Sequence, residues 1–152
     1  RAGAVCARRR RPARGMTRTV LTHSEEETVQ LGRDLALSLG PGCVVLLHGE
    51  LGAGKTAFVR GLAAGLGVPD DEVSSPTFML IQQYRGRMPL VHVDLYRITA
   101  AETEELGLDD LGERGVVAIE WAEKLVRPPA EAVEIVIEDA GATLRRITMT
   151  VP

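Results

Sequence analysis

The spacing of apolar residues divides the chain into short strands and two longer helices. After Ser24 the apolar positions recur at helical spacing and predict one apolar face, formed by Leu31, Leu35 and Leu39. Ser24 followed three residues later by Glu27 has the pattern of a capping box, in which each side chain binds the other residue's backbone N–H. This pattern predicts where the helix begins, and Gly40 and Pro41 predict its end.

Other segments are continuous apolar runs or alternate between apolar and polar residues. The runs at 43–47 and 116–119 are typical of strands covered on both faces. A glycine-rich turn follows the first run, and a helix is predicted over 55–66. Further strands are predicted at 19–21, 78–84, 90–95, 132–137 and 144–151. The last four form two hairpins, and the acidic segment 99–111 is predicted to be helical in pieces. The pattern predicts one α/β domain over residues 16–152.

Composition places the chain among soluble globular proteins. Of its 152 residues, 45% are hydrophobic and 26% charged, which excludes disorder as the main interpretation. No apolar run approaches the roughly 20 residues that cross a bilayer, so we expect no membrane partner. Cys6 and Cys43 are too few for a disulfide framework or a four-ligand zinc site. We therefore expect a cytoplasmic location.

Charge is distributed unevenly along the chain. Residues 1–15 contain six arginines and no acid, whereas the rest has 12 basic and 21 acidic residues. A body with a net charge near −9 repels phosphate backbones, so direct nucleic-acid binding by it is disfavoured. We expect residues 1–15 to be a disordered or non-native extension. An arginine-rich nucleic-acid tail is the alternative.

Residues 49–56 read GELGAGKT and match the phosphate-loop (P-loop) pattern between a predicted strand and a predicted helix. Glycines let the backbone curl, so that successive N–H groups and the helix N-terminus converge on a triphosphate. Lys55 would bridge the β- and γ-phosphates, and the Thr56 hydroxyl would bind Mg²⁺. An accidental match is the alternative, but the chain has 16 arginines and only two lysines, one of them in this loop.

Chemistry at a phosphate loop also needs an acid that holds Mg²⁺ or positions water. Asp94 and Glu120 each end a predicted apolar strand, and either could serve. The alternative for each is a solvated carboxylate at a strand end, with no role in chemistry. The sequence alone leaves open which of the two touches the metal.

Three further features have both a functional and a structural interpretation. Residues 75–78, Ser-Pro-Thr-Phe, fit a phosphate-sensing loop or a simple turn before a strand. His92 alternates into an apolar strand, and we favour a hydrogen-bonded core histidine over a catalytic base. Trp121 has a side chain typical of cores, but its place beside Glu120 puts it near the nucleotide if the strand prediction holds.

Four motifs in order, GELGAGKT, SPTF, HVDLYR (92–97) and IEWAE (119–123), resemble the TsaE (YjeE) family. These are small bacterial P-loop ATPases of tRNA threonylcarbamoyladenosine (t6A) biosynthesis. The resemblance covers residues 19–151, and HxDLYR and EW are specific to the family, whereas the loop alone fits many ATPases and kinases. It implies a P-loop NTPase three-layer fold with a mixed parallel and antiparallel sheet.

The resemblance also implies roles for individual residues. Thr56 and Glu120 would hold Mg²⁺, Asp94 would support hydrolysis, and Glu25 would contact the nucleotide. Lys55 and Glu120 would join Asp94 in catalysis, and Trp121 would border ATP. The phosphates would be cradled by Leu51, Gly52, Ala53, Gly54, Lys55 and Thr56, and Gly49 would also belong to the nucleotide-binding loop.

The implied partners are the TsaD and TsaB proteins, with tRNA engaged only through the complex. ATP hydrolysis would reset the TsaD-TsaB complex between turnovers, and would be weak without these partners. The chain departs from the family in having Ala57 where a second Thr or Ser is usual. We expect weaker nucleotide affinity, since one neutral hydrogen bond is worth about 0.5–1.5 kcal/mol.

Two other functions remain open from the sequence. A small-molecule kinase uses the same loop, although the roughly 30 residues after Trp121 leave little room for a lid. A nucleotide-gated binding module with negligible turnover would use ATP only to order segments 75–78 and 99–113 for docking. A GTPase is disfavoured, because a chain without asparagine lacks the guanine-reading Asn-Lys-x-Asp motif.

Overall fold

Seven strands form one sheet in the computed structural model, which describes residues 16–50, 52–69, 73, 81–108, 114–129 and 131–152. The strands are β1 (Met16–Thr22), β2 (Val44–His48), β3 (Ile81–Tyr84), β4 (Leu90–Asp94), β5 (Val116–Glu120), β6 (Val133–Asp139) and β7 (Arg145–Val151). Their order across the sheet is β1-β7-β6-β2-β5-β4-β3.

The centre of the sheet is parallel and its margins are antiparallel. β2 pairs in parallel with both β5 and β6, and β4 pairs in parallel with β5. The antiparallel pairs are β3 with β4, β7 with β6, and β1 with β7. Every residue of β4 and β5 is buried, as expected for largely apolar strands that are covered on both faces. The mixed sheet predicted from the sequence is confirmed.

The two longer helices, α1 (Glu25–Ala36) and α2 (Lys55–Gly65), pack on the same face of the sheet. The other face is covered over β2, β4 and β5 by short segments that include 3₁₀ turns at Glu104–Leu106 and Ala122–Lys124. The first of these turns directly follows a short helix, α3 (Ala100–Thr103). β6 alternates, with its outward residues exposed at Glu134, Val136 and Glu138. The three-layer fold is confirmed, and its third layer covers only part of the sheet.

The termini of α1 differ in two details from the prediction. The Ser24 hydroxyl accepts the N–H of Glu27 at 3.2 Å, but the Glu27 carboxylate binds the N–H of His23, not that of Ser24. The reciprocal box is therefore incomplete. The helix ends at Ala36, earlier than predicted, because the next residues form tighter turns in which the Leu39 N–H donates to the Ala36 carbonyl. Leu39 is buried but lies beyond the helix.

Parts of several predictions lie outside the described residues. These are the segment 1–15, the start of the strand predicted at 78–84, residues 75–78, and the end of the segment 99–111. Within the described part, that last segment consists of α3 and a 3₁₀ turn at Glu104–Leu106. The domain boundary at residue 16 stays a prediction.

Helix length bears on one sequence expectation. The longest helix in the described part of the chain is α1, with 12 residues. Among the described residues, no helix is both long enough and apolar enough to cross a bilayer.

Three glycines allow α1 and α2 to approach each other closely. A Cβ on Gly61 would lie 2.0 Å from the Val29 carbonyl oxygen, and one on Gly32 would lie 2.3 Å from the Phe58 carbonyl oxygen. A Cβ on Gly65 would lie 2.6 Å from the Ala36 side chain. These distances are far below van der Waals contact, so any side chain here must push the helices apart. Because α2 begins at the P-loop, this packing also fixes the position of the loop.

We expect Gly61→Ala to destabilise the fold by about 1–3 kcal/mol, because the overpacking outweighs the better helix propensity of alanine. Gly107→Ala is the control: its Cβ meets no atom within 4 Å, so only its left-handed backbone, with φ of 64°, opposes the change. That strain costs roughly 1–2 kcal/mol. Urea unfolding followed by circular dichroism measures both. A Gly61→Ala protein as stable as the parent chain would contradict the close packing of the helices.

Candidate functional site

The glycine-rich loop joins the end of β2 to the start of α2. Gly49 has φ of 154°, and a Cβ there would lie 2.6 Å from the Ile137 carbonyl oxygen of β6. Gly54 directly precedes α2 in the left-handed region, with φ of 114°. Both positions require glycine, one for close approach and one for backbone conformation. The predicted strand, loop and helix are confirmed, although Leu51 lies outside the described residues.

Arg145 fastens the loop to the opposite side of the site. Its Nε donates to the Ala53 carbonyl oxygen at 3.1 Å, and its Nη1 donates to the carbonyl oxygens of Ala142 and Leu144. One guanidinium therefore connects the P-loop with the turn between β6 and β7. The sequence analysis did not identify Arg145, because no pattern of residue types links positions 53 and 145.

Lys55 is turned back on its own loop. Its Nζ donates to the carbonyl oxygens of Gly49 and Glu50, the latter at 2.8 Å, and lies 4.1 Å from the centre of a Trp121 ring. Burial lowers the pKa of Lys55, and the negative charges of Glu120 and other nearby acids oppose that shift. The ammonium group thus has partners, but they are neutral carbonyls and a π face that a phosphate could replace.

The backbone of Trp121 adopts a conformation that is unusual for a residue with a large side chain. It directly follows β5 with φ of 60°, in the left-handed region that favours glycine. Its ring lies against Tyr96, with the ring centroids 4.9 Å apart and tilted by 39°. Lys124 donates to the Tyr96 carbonyl oxygen at 2.6 Å and so supports the same corner. The strained turn directs the indole toward Lys55 instead of continuing the strand.

Parallel pairing brings the two candidate acids together. Asp94 and Glu120 are register partners at the ends of β4 and β5. The Thr56 hydroxyl lies 3.3 Å and 3.5 Å from the two Glu120 carboxylate oxygens. Burial raises the pKa of Asp94, with Glu120 adding to the rise, whereas the N–H of Tyr96, 2.9 Å from Oδ1, opposes it. Of the two acids, Glu120 is the one joined to the loop threonine.

His92 is fully buried and contacts the same carboxylate. Its Nε2 lies 2.6 Å from Glu120 Oε2, and both side chains are almost completely excluded from solvent. Its Nδ1 has no hydrogen-bond partner among the described residues. The core histidine favoured by the sequence is therefore buried as predicted, but only one of its two ring nitrogens is hydrogen-bonded.

These groups surround a cavity of about 820 Å³. Loop residues 52–56 line it, together with Glu25, Asp94, Glu120 and Trp121. Gly49 acts at the strand end and does not line the cavity. The cavity has the size and concave shape of small-molecule sites in proteins. Apart from Gly49, the structure therefore brings the described candidate residues together around one cavity, while their chemical roles stay predictions.

Some lining residues were missed by sequence reasoning. They are Ser24, Thr28, Tyr96, Arg97, Thr143 and Arg145. Tyr96 and Arg97 belong to the HVDLYR motif, which could have indicated them, whereas Thr28 and Thr143 carry no local signal. Glu25 lines the cavity at the start of α1, and its carboxylate also pairs with Arg60 at 2.8 Å.

Thr56 and Glu120 fit a magnesium ion by the chemistry of their donors. A hydroxyl oxygen and a carboxylate face each other at the loop, and Mg²⁺ prefers oxygen ligands from one or two side chains plus phosphates and water. In the described part of the chain, no three His, Cys, Asp or Glu residues group into a self-contained metal site. A cation here would therefore need oxygens from a bound phosphate or water to complete its shell.

A glycine-rich loop that joins the end of the middle strand of a mixed sheet to a helix N-terminus defines an α/β protein of the P-loop class. The comparisons with known proteins name the family. A family model described as "Threonylcarbamoyl adenosine biosynthesis protein TsaE" matches residues 22–147. The chain belongs to the TsaE family, which takes part in tRNA threonylcarbamoyladenosine biosynthesis.

Individual relatives agree with this assignment. The tRNA threonylcarbamoyladenosine biosynthesis protein TsaE of Bacillus subtilis is 44% identical over 132 residues, which cover 85% of this chain and 82% of that protein. TsaE of Nostoc sp. is 41% identical over 141 residues, covering 88% and 86%. The crystal structure of Bacillus subtilis YdiB superimposes with a TM-score of 0.72 at 36% identity, covering 92% of this chain and 88% of that one. The resemblance stated from the motifs is confirmed.

The raised pKa of Asp94 has a consequence for stability. The folded protein holds a proton on Asp94 more tightly than the unfolded chain does, so ionisation of this carboxylate lowers the free energy of unfolding at pH 7. We expect Asp94→Asn to unfold at a higher temperature than the parent chain at pH 7, by roughly 2–4 °C for each kcal/mol gained. The amide oxygen can still accept the Tyr96 N–H.

The advantage of Asp94→Asn should shrink as pH falls toward the ordinary aspartate pKa of about 4, because the parent carboxyl becomes neutral too. Thermal unfolding at pH 7, 5.5 and 4 in metal-free buffer measures this trend. Asp34→Asn is the control, since Asp34 is exposed on α1. A parent chain equally or more stable at pH 7 would show that burial does not disfavour the Asp94 charge.

Proposed function

We propose that this chain is the ATP-binding and ATP-hydrolysing subunit of the t6A modification machinery. The observation that carries the proposal is the position of Glu120, 3.3 Å from the Thr56 hydroxyl at the start of the P-loop helix. A carboxylate that meets the loop threonine in a cavity matches the Mg²⁺ arrangement of P-loop ATPases. The alternative of a solvated carboxylate does not account for the burial of Glu120 or its two side-chain partners.

The loop would bind the triphosphate through backbone groups. The first N–H groups of α2 lack partners within the helix, and together with the helix dipole they favour an anion at this end. On nucleotide binding, Lys55 would break its hydrogen bonds to the Gly49 and Glu50 carbonyl oxygens and bind the β- and γ-phosphates instead. The new contacts would be stronger, because they join opposite charges. Glu25 and Trp121, at other points of the cavity wall, would contact the rest of the nucleotide.

Hydrolysis would depend on the two acids. Thr56 and Glu120 would hold Mg²⁺, which neutralises charge on the phosphates when bound. Asp94 lies beside Glu120 in the register and would orient the attacking water. Its raised pKa favours proton uptake from that water more than an ordinary aspartate would.

The partners we propose are the TsaD and TsaB proteins, with ATP hydrolysis resetting their complex between turnovers in the cytoplasm. Family membership in t6A biosynthesis supports a place in this machinery. The net charge near −9 outside residues 1–15 disfavours a direct grip on tRNA, so tRNA would be reached through the complex.

Nucleotide binding is tested first by Lys55→Ala. We expect the affinity for a non-hydrolysable ATP analogue, measured by titration calorimetry, to fall at least about 100-fold, because the two charge-assisted contacts with the β- and γ-phosphates, worth about 1.5 kcal/mol or more each, are lost. Arg114→Ala is the charge-matched control: this exposed residue lies before β5, at the opposite end of the strand from Glu120. Equal affinity in the Lys55→Ala and parent proteins would remove the P-loop from the proposal.

Hydrolysis is tested by Glu120→Gln and by mixing with partners. We expect phosphate release to fall about 100-fold while ADP affinity without metal changes little, since the lost support acts mainly on the transition state. Addition of TsaD and TsaB should raise hydrolysis by the parent chain. No rise on mixing would favour a nucleotide-gated module, and phosphate transferred to an added alcohol would reveal a kinase.

A further inference from the structure

We propose that His92 is a positioning residue for the Glu120 carboxylate, holding it in the orientation in which it meets Thr56 and a divalent cation. The inference rests on the proposed function, because it concerns the same magnesium site. It gives a functional reason for burying the polar His92 side chain, which packing alone does not explain.

The geometry places the Glu120 carboxylate between two side chains. His92 Nε2 lies 2.6 Å from Oε2 on one side, and the Thr56 hydroxyl lies 3.3 Å from the same oxygen on the other. His92 is adjacent to Glu120 along the diagonal of the β4–β5 pair, because its own register partner is the small residue Ala118. The small alanine side chain leaves space on this face for the imidazole to reach the carboxylate.

Charge explains why the carboxylate needs a partner on this side. Asp94 is the direct register partner of Glu120, and two carboxylates in such positions repel each other. The Tyr96 N–H binds Asp94, while the His92 N–H binds Glu120. The two acids are thus each held by a separate donor, and Glu120 is directed toward Thr56.

The hydrogen bond to Glu120 accounts for only one of the two imidazole nitrogens. A hydrogen bond from Nε2 to a carboxylate requires the proton on Nε2. Nδ1 has no partner among the described residues, which is costly for a buried polar atom. If His92 served only for packing, replacing it with an apolar residue would stabilise the fold. We therefore assign its function to the contact with Glu120.

Some residues do not touch the metal but hydrogen-bond to one of its ligands. Replacing such a residue typically lowers metal affinity 10- to 100-fold. The test compares His92→Leu, which fills the space without a donor, with His92→Gln, whose amide nitrogen lies the same number of bonds from Cβ as Nε2. His92→Asn adds a donor that is one carbon too short. Mn²⁺ replaces Mg²⁺ as the probe, and electron paramagnetic resonance measures free Mn²⁺ in the presence of ADP.

We expect His92→Leu and His92→Asn to weaken Mn²⁺ binding by about tenfold or more. His92→Gln should stay within about threefold of the parent, and ADP affinity in EDTA should be unchanged in all three variants. If the leucine protein does not fold, the comparison of asparagine with glutamine decides the question. Loss of thermal stability with unchanged Mn²⁺ affinity would reduce His92 to a structural residue and overturn the inference.

The Glu120→Gln variant distinguishes failure of the proposed His92 role from failure of the proposed metal site. We expect it to weaken Mn²⁺ binding, and we expect His92→Leu to add nothing further in the Glu120→Gln background, since His92 acts through that carboxylate. Additive losses would overturn the positioning role alone. Unchanged Mn²⁺ affinity in Glu120→Gln would overturn both the metal assignment and the inference.

Discussion

The parallel register of β2, β5 and β4 is the constraint on which the site depends. It aligns Glu120 with Leu47 on one side and with Asp94 on the other, so the acids end beside the start of the P-loop. Side chains alternate between the faces of a sheet, so a slip of one residue would turn Glu120 to the face opposite α2. The largely apolar sequences of β4 and β5 keep these strands buried on both faces, and two carboxylates are thereby held at the buried ends of the strands.

The site concentrates charge that folding alone disfavours. Lys55, Asp94 and Glu120 are all largely buried, and burial shifts the pKa of Lys55 downward and that of Asp94 upward. Trp121 adds a left-handed backbone at the same place. Concentrated strain and desolvated charge are characteristic of sites selected for binding or chemistry, since they reduce stability wherever they occur. The helix packing on one face of the sheet and the apolar cluster on the other stabilise the fold. This stability offsets the cost of the strained backbone and the buried charges.

Local pattern predicted most of the elements, because strands, turns and the P-loop depend on neighbouring residues. The helix from Lys55 and the acids at two strand ends were found in this way. Long-range contacts left no such signal: nothing near Arg145 indicates that it binds Ala53, and nothing near His92 indicates that it reaches Glu120. The end of α1 was misplaced, because its final turn tightens before the glycine that marks a usual stop.

The bond from Arg145 to Ala53 joins positions 92 apart in the chain. The final strand, which lies between β1 and β6 in the sheet, therefore also contacts the P-loop directly. A shortened protein ending at residue 144 would lose β7, the pairing surface for β1 and the clamp on the loop in a single cut. Chain shortening to improve expression or crystallisation should accordingly stop beyond Val151, where the last strand is complete.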